Sequence, residues 1–135
     1  MTGQNIELAR RATRDLRSMF EVFDEEIVWD NRGTNAPADL AGAFRGKREV
    51  IRTVESWVGT WLEYDFAVEE LIEAGDLVLL GAWERGRGKG SGVALERRWG
   101  MVWTFRDARV VLAEAYDSLA QACAAHGVTP PQSKQ

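Results

Sequence analysis

The sequence has few of the residues that form disulfides, zinc sites or nucleophilic triads. Its 135 residues include one cysteine, Cys123, and one histidine, His126, so an intramolecular disulfide is excluded. One histidine and one cysteine cannot make a zinc site without carboxylate ligands, and no Ser-His-Asp triad can form away from His126. These absences leave carboxylates and hydroxyl groups for any chemistry, and we expect neither a metal nor a cofactor.

Long apolar runs and an excess of basic residues are also missing. No apolar run approaches the ~20 residues of a membrane span, and the N-terminus is polar and charged. The net charge is −4, with both signs interspersed, which argues against a nucleic-acid partner. The glycine-rich segment 86–92 is followed by a strand pattern, whereas a phosphate-binding loop is followed by a helix. We expect a soluble cytoplasmic protein with no nucleic-acid or membrane partner.

What the sequence does have is a long stretch of alternating apolar and polar residues over its last third. Between residues 81 and 117 this alternation predicts three consecutive strands, and the middle one puts a row of large apolar side chains on one face. Helices are predicted where apolar residues recur every three or four positions. The predicted helices are 4–23, 47–61 and 119–126, and the predicted strands are 26–30, 63–74, 77–87, 95–106 and 110–116.

This order of elements predicts an α+β domain, in which helices pack on one face of a curved antiparallel sheet. We expect a single domain over residues 1–128 and a flexible C-terminal tail over residues 129–135, which contains two prolines. Residues 31–46 are predicted to form a loop, because they are rich in turn-forming residues.

Four segments of the chain resemble the SnoaL-like branch of the nuclear transport factor 2-like superfamily. They are FDEEIVWDN, FRGKREVIRTVESW, EELIEAGDLVLLGAWERGRGKGSG and RRWGMVWTFRDARVVLAEAYDS, and the resemblance covers roughly residues 5–127. It implies a cystatin-like cone, in which the sheet curls around the helices and leaves a deep pocket at the open end. The family has two N-terminal helices separated by a turn, whereas ATRDLRSMF contains no such turn, so we expect the helix pair to be shortened or fused here, with at most one break.

Asp30 is the first candidate catalytic residue, because it ends a predicted strand and opens a loop. In the steroid isomerases that this family contains, an aspartate at the matching place shuttles a proton, and the resemblance implies the same role for Asp30. Desolvation against aromatic walls would raise its pKa, as a general base requires. The alternative is a turn residue whose carboxylate binds loop amides. Trp29 has the opposite parity to Asp30 and is expected to face away from the pocket.

Glu114 and Tyr116 are further catalytic candidates on one face of the last strand. A charge on that otherwise apolar face requires a partner or a function. In the family's limonene-epoxide hydrolases, an aspartate at about the position of Glu114 helps to activate water, and Tyr116 could orient a carbonyl group. The alternative is a structural ion pair between Glu114 and Arg97 or Arg85.

The expected ligand-binding wall consists mainly of large apolar side chains. At least half of the tryptophans must pack the core, because a small domain cannot line a pocket with every large residue. Those that do line a pocket favour flat or apolar ligands. The expected wall is Val54, Trp57, Trp61, Trp83, Arg97, Trp99, Met101 and Trp103.

Two functions follow from this sequence. The first is cofactor-independent acid/base chemistry, such as isomerisation, cyclisation or hydration, on a small hydrophobic or aromatic ligand, in a homodimer formed through the outer face of the sheet. The second is a non-catalytic binding or accessory protein. The second is favoured by four positions that match catalytic polar residues of the steroid isomerases and the limonene-epoxide hydrolases. In this sequence those positions hold Ala12, Met101, Gly81 and Trp83.

Overall fold

In a computed structural model the chain forms four helices and six strands, and the structure describes residues 3–34 and 40–130. Every long strand expected from the alternation is present, and the predicted α+β class is confirmed. The helices are α1 (Gln4–Ala12), α2 (Leu16–Val22), α3 (Lys47–Gly59) and α4 (Leu119–Ala125). The strands are β1 (Phe23–Gly33), β2 (Ala43–Arg45), β3 (Trp61–Ala74), β4 (Leu77–Gly88), β5 (Ala94–Arg106) and β6 (Arg109–Tyr116).

The strands form one sheet in the order β2-β1-β6-β5-β4-β3. The pairs between β3, β4, β5 and β6 are antiparallel, as the alternation predicts, but β1 runs parallel to β6. The sheet is therefore mixed, not purely antiparallel. The strand expected at residues 26–30 is also longer at both ends, and β2 lies within the predicted loop, of which residues 35–39 are outside the described residues.

The N-terminal helix predicted over residues 4–23 is two helices, as in the family that the sequence resembles. Thr13 closes α1 by donating its hydroxyl to Ala9 O at 2.8 Å. Asp15 then opens α2, because its Oδ1 accepts the backbone N–H of Ser18 at 2.7 Å. An N-cap of this kind satisfies a free amide of the new helix and favours a restart over a continuous helix.

Each face of the sheet has its own core. The inner face carries the larger core, in which α1, α2 and α3 pack on buried side chains of the long strands such as Leu80 and Trp103. The outer face carries a smaller core, in which Ala122 and Cys123 of α4 pack on Leu79 and Val102. Cys123 is buried, and burial raises the pKa of its thiol, which fits the expected structural role. Residues 131–135 of the predicted tail lie outside the described residues.

Candidate functional site

A cavity of about 200 Å³ lies between the inner face of the sheet and helices α2 and α3. Most of its wall is apolar, and its polar side chains are few. The apolar lining is Leu16, Met19, Trp29, Leu40, Val50, Val54, Trp57, Val58, Phe66, Leu95, Trp99 and Ala115, and the polar lining is Asn31, Thr34, Thr53, Tyr64, Glu84 and Arg97.

Glu84 is the centre of the cavity's polar end. Its side chain is only 2 % exposed, and three donors from three different elements bind its carboxylate. The hydroxyl of Tyr64 donates to Oε1 at 2.5 Å, the indole N–H of Trp57 donates to Oε1 at 3.0 Å, and Nε of Arg97 donates to Oε2 at 2.6 Å. A buried carboxylate is tolerated when it is paired and hydrogen-bonded in this way.

Tyr64 and Arg97 differ in their access to solvent. Burial, followed by the negative charge of Glu84, raises the pKa of Tyr64 well above its ordinary value, so its hydroxyl stays protonated. The Arg97 side chain keeps 42 % of its surface exposed, and its guanidinium lies 6.0 Å from the ring centre of Trp99. The polar end therefore joins a buried proton donor and carboxylate to an accessible cation.

Strand register explains why these side chains converge. Glu84 and Arg97 are direct cross-strand partners in the antiparallel β4–β5 pair, and Phe66 faces Glu84 from β3. An irregularity in β3 between Leu62 and Asp65, with Glu63 at a φ of 55°, shifts the register there. A bulge of this kind re-aims a neighbouring side chain, and here Tyr64 reaches Glu84.

Four of the eight residues expected in the ligand-binding wall line the cavity: Val54, Trp57, Arg97 and Trp99. Arg97 pairs with Glu84 and not, as considered from the sequence, with Glu114.

Three other expected wall residues belong to the packing around the cavity. Met101 and Trp103 are fully packed in the inner core, at 2 % and 0 % exposure. Trp61 packs edge-to-face on Trp57, with ring centres 5.2 Å apart.

Trp83 lies on the outer face, so its expected place in the wall is wrong. It is paired across the strands with Arg98, and the guanidinium of Arg85 lies 5.5 Å from its ring centre. Equal parity in the numbering of Trp83 and Trp99 suggested one shared face, but the β4–β5 register pairs odd positions with even ones.

Glu84 is absent from the expected site residues, because an inward Trp83 would turn its neighbour Glu84 to the opposite face of β4. It continues the inward row of Val78, Leu80 and Ala82 in β4, and a charge that interrupts an apolar row is the signal that could have found it.

Asp30, Glu114 and Tyr116 lie together, but outside the cavity. Asp30 and Glu114 are direct partners in the parallel β1–β6 pair, whereas the neighbouring Trp29 and Ala115 line the cavity. Because side chains alternate along a strand, the three candidates face the outer side of the sheet. Trp29 thus faces the cavity, contrary to the expectation that it faces away.

The outer candidates contact one another and the end of α4. Tyr116 donates to Glu114 Oε2 at 3.5 Å, and Glu114 Oε1 lies 3.1 Å from Nε2 of His126. Asp30 forms an ion pair with Arg32 at 2.7 Å, and the hydrogen bond from Arg32 lowers the pKa of the Asp30 carboxyl. The sequence predicts the opposite shift, because desolvation against aromatic walls would raise the pKa of Asp30, as a general base requires.

Among the described residues, no group of three or more His, Cys, Asp or Glu side chains is arranged to hold a metal ion. Within the same part of the chain, no helix is long and apolar enough to cross a membrane.

A sequence model described as the SnoaL-like domain matches residues 8–113 of the chain. The chain belongs to the SnoaL-like family. The predicted resemblance is thereby confirmed. A comparison with curated proteins finds no match.

Solved structures of similar proteins share the fold of this SnoaL-like chain. An NTF2-like protein of unknown function from Burkholderia pseudomallei is 23 % identical, with a TM-score of 0.71, over 91 % of this chain and 97 % of that one. TerC, co-crystallised with polyporic acid, is 18 % identical, with a TM-score of 0.68, over 93 % and 98 %. A Catenulispora acidiphila protein with a ketosteroid isomerase-like fold, in complex with trimethylamine, is 14 % identical, with a TM-score of 0.66, over 99 % and 100 %.

Proposed function

We propose that this SnoaL-like protein binds a compact, largely apolar or aromatic small molecule in the cavity between the sheet and helices α2 and α3. The observation that carries the proposal is the composition of the cavity wall, which is mainly apolar, has few polar side chains, and carries its charged groups together at Glu84 and Arg97. Small-molecule sites have this form, with apolar walls and a few polar groups that orient the ligand. The similar structure of TerC, which was co-crystallised with polyporic acid, supports a small-molecule site in this fold.

The cavity has room for one ring with a short substituent. A cavity of about 150 Å³ is large enough for benzene, and the cavity here has about 200 Å³. Toluene is therefore a suitable probe, and its binding can be followed by ligand-observed NMR.

A cavity-filling substitution on α3 tests where toluene binds. Val54 lines the cavity, whereas the next residue, Glu55, is exposed on the same helix. We expect Val54→Trp to abolish toluene binding and Glu55→Trp, the matched control, to leave it unchanged. Wild-type protein that does not bind toluene, or equal binding by the Val54→Trp variant, would refute the proposal.

We propose, as a second candidate function, that Glu84 exchanges a proton with the bound molecule. The observation that favours it is the carboxylate at the cavity wall, with the Tyr64 hydroxyl held at 2.5 Å. Isomerisation, cyclisation and hydration all require such a proton transfer. In this step a C–H bond next to a carbonyl breaks, its proton passes to the Glu84 carboxylate, and the electron pair moves to the carbonyl oxygen near Arg97.

Exchange of the methyl protons of acetophenone in D₂O tests this step, because the carboxylate then returns a solvent deuteron to the carbon. We expect wild-type protein to accelerate the exchange and Glu84→Gln to abolish the acceleration. Glu69→Gln is the matched control, because Glu69 is paired with Arg98 at the exposed outer face. Binding of acetophenone without any accelerated exchange would instead identify the chain as a binding protein.

A further inference from the structure

The polar groups that line the cavity differ in whether the protein already satisfies them. Asn31 donates its amide to Leu40 O at 2.8 Å and accepts the indole N–H of Trp29 at 2.8 Å. Thr53 donates its hydroxyl to Glu49 O at 2.9 Å. These side chains already have protein partners, and a ligand need not supply any.

The Glu84 carboxylate is also largely satisfied. Its two oxygens accept three hydrogen bonds, from Tyr64, Trp57 and Arg97, and a carboxylate has about four acceptor positions. A ligand that presents a donor therefore finds most of the acceptor capacity at this end of the cavity already occupied.

Arg97 is the lining residue that has hydrogen-bond donors to spare. It binds Glu84 through Nε alone, and within the described part of the chain no hydrogen bond is made by its two Nη groups. The indole Nε1 of Trp99 also lacks a partner among the same residues, but it is buried with no surface open to the cavity. A ligand that supplies an acceptor therefore finds its donor in Arg97, and hydrogen bonds to charged groups are the stronger kind.

Charge at the polar end restricts the ligand further. The positive charge of Arg97 already lies 2.6 Å from the negative charge of Glu84, so the pair is neutral as a whole. An anionic ligand would have to lose its hydration in a mainly apolar cavity and would meet the Glu84 carboxylate as well as Arg97. A neutral acceptor avoids both costs.

We infer that the ligand class of this cavity is neutral single-ring compounds that carry a carbonyl oxygen, with Arg97 as the residue that selects the carbonyl. This inference rests on the proposed binding function and narrows it. The ring occupies the apolar part of the cavity, and the carbonyl oxygen accepts a hydrogen bond from an Nη group of Arg97.

Three benzene derivatives of similar size test this inference on the wild-type protein. Acetophenone carries a neutral carbonyl, ethylbenzene carries no hydrogen-bonding group, and benzoate carries an anion. We expect acetophenone to bind more tightly than ethylbenzene, although ethylbenzene is the more apolar of the two, and benzoate to bind at least about tenfold more weakly than acetophenone. Tighter binding of ethylbenzene, or of benzoate, would overturn the inference.

Neighbouring arginines on β5 provide a matched pair of variants. Arg97→Met is combined with Glu84→Gln, so that no buried charge is left without a partner. Arg98→Met is the control, because Arg98 lies on the outer face and pairs with Glu69. We expect the preference for acetophenone over ethylbenzene to fall at least about tenfold in the double variant and to persist in Arg98→Met. A preference that survives in a folded double variant would contradict the role of Arg97.

The same probes separate this inference from the proposed function. Binding of ethylbenzene as tight as that of acetophenone would leave the cavity as the binding site and would refute only the carbonyl selectivity. Failure of all three probes to bind would refute both. If the double variant does not fold, the ranking of the probes by the wild-type protein decides the question.

Discussion

Tyr64 donates its hydroxyl to Glu84 in a buried setting, and this contact makes stability sensitive to alkaline pH. Burial and the Glu84 charge raise the pKa of Tyr64 above its ordinary value of 10.0. Above about pH 10 the unfolded chain loses this proton while the folded chain keeps it, so the free energy of unfolding falls as the pH rises. Below that pH the contribution is fully present.

We expect Tyr64→Phe to reduce this alkaline loss of stability, measured by urea unfolding between about pH 9 and about pH 11. Tyr116→Phe serves for comparison, because the pKa of Tyr116 is raised as well, first by its burial. Tyrosinate absorbance that develops near pH 10 from Tyr64 in the folded protein would contradict the buried hydrogen bond.

Asp30 gives the opposite dependence at acid pH. Its pKa is lowered below 3.8, first by the hydrogen bond from Arg32, so its contribution to stability is present above that pH and is lost as the pH falls through the folded pKa. We expect Asp30→Asn to flatten the acid limb of the stability curve. Because Asp30 lies outside the cavity, the same variant should bind toluene as the wild type does, and a loss of binding would return Asp30 to the site.

At the scale of elements, the close packing of α4 against the outer face of the sheet depends on Gly100 of β5. A Cβ at this position would lie 2.5 Å from the backbone oxygen of Ser118, the N-cap of α4, and 2.8 Å from Cα of Leu119. Backbone atoms cannot move aside as the end of a side chain can, so the helix must shift as a unit. Gly100 therefore sets how closely α4 approaches the sheet.

We expect Gly100→Ala to lower the free energy of unfolding by about 1–3 kcal/mol, the usual range for overpacking. The matched control is Gly59→Ala at the end of α3, where a Cβ would meet nothing within 4 Å and alanine is the better helix former by roughly 0.5–1 kcal/mol. Urea unfolding measures both changes. Equal stabilities of the Gly100→Ala variant and the wild type would show that α4 is not seated as described.

The elements were predictable from local pattern to the extent that one face of each is buried. The row from Leu95 to Phe105 on β5 faces the interior as its alternation predicts. Which residues of β4 share a face with which residues of β5 was not predictable, because this depends on a register that the turn 88–93 sets. From the sequence alone, Trp83 is therefore expected in the cavity wall, and Glu84 is not among the expected site residues. The parallel β1–β6 pair joins segments far apart in the chain, so no local signal announces it.

At the scale of the whole molecule, the candidate site was predictable in its character but only partly in its residues. An aromatic wall with a carboxylate was expected, and the cavity has both in Trp57, Trp99 and Glu84. The expected carboxylates, Asp30 and Glu114, lie on the other face of the sheet. Side chains alternate along a strand, so a shift of one residue in the strand register is enough to move a side chain from one face to the other. Family resemblance gave the fold and could not correct that parity.

The homodimer expected from the sequence stays a prediction. Its expected interface, the outer face of the sheet, carries the exposed ion pairs of Arg98 with Glu69 and of Arg85 with Asp65. We expect sedimentation equilibrium to give twice the chain mass of 15.1 kDa, and Arg98→Glu, which places like charges together, to weaken the association. A monomer mass at all concentrations would reject the dimer.

The central claim is that ligands bind in the cavity on the inner face and not at the outer cluster of Asp30, Glu114 and Tyr116. The six tryptophans of the chain each give one indole N–H signal in a ¹H–¹⁵N correlation spectrum, and single Trp→Phe variants assign them. On titration with acetophenone, the signals of Trp57 and Trp99 should shift, because both residues line the cavity, while that of Trp83 on the outer face should not. A shift of Trp83 with Trp57 and Trp99 unmoved would contradict the claim.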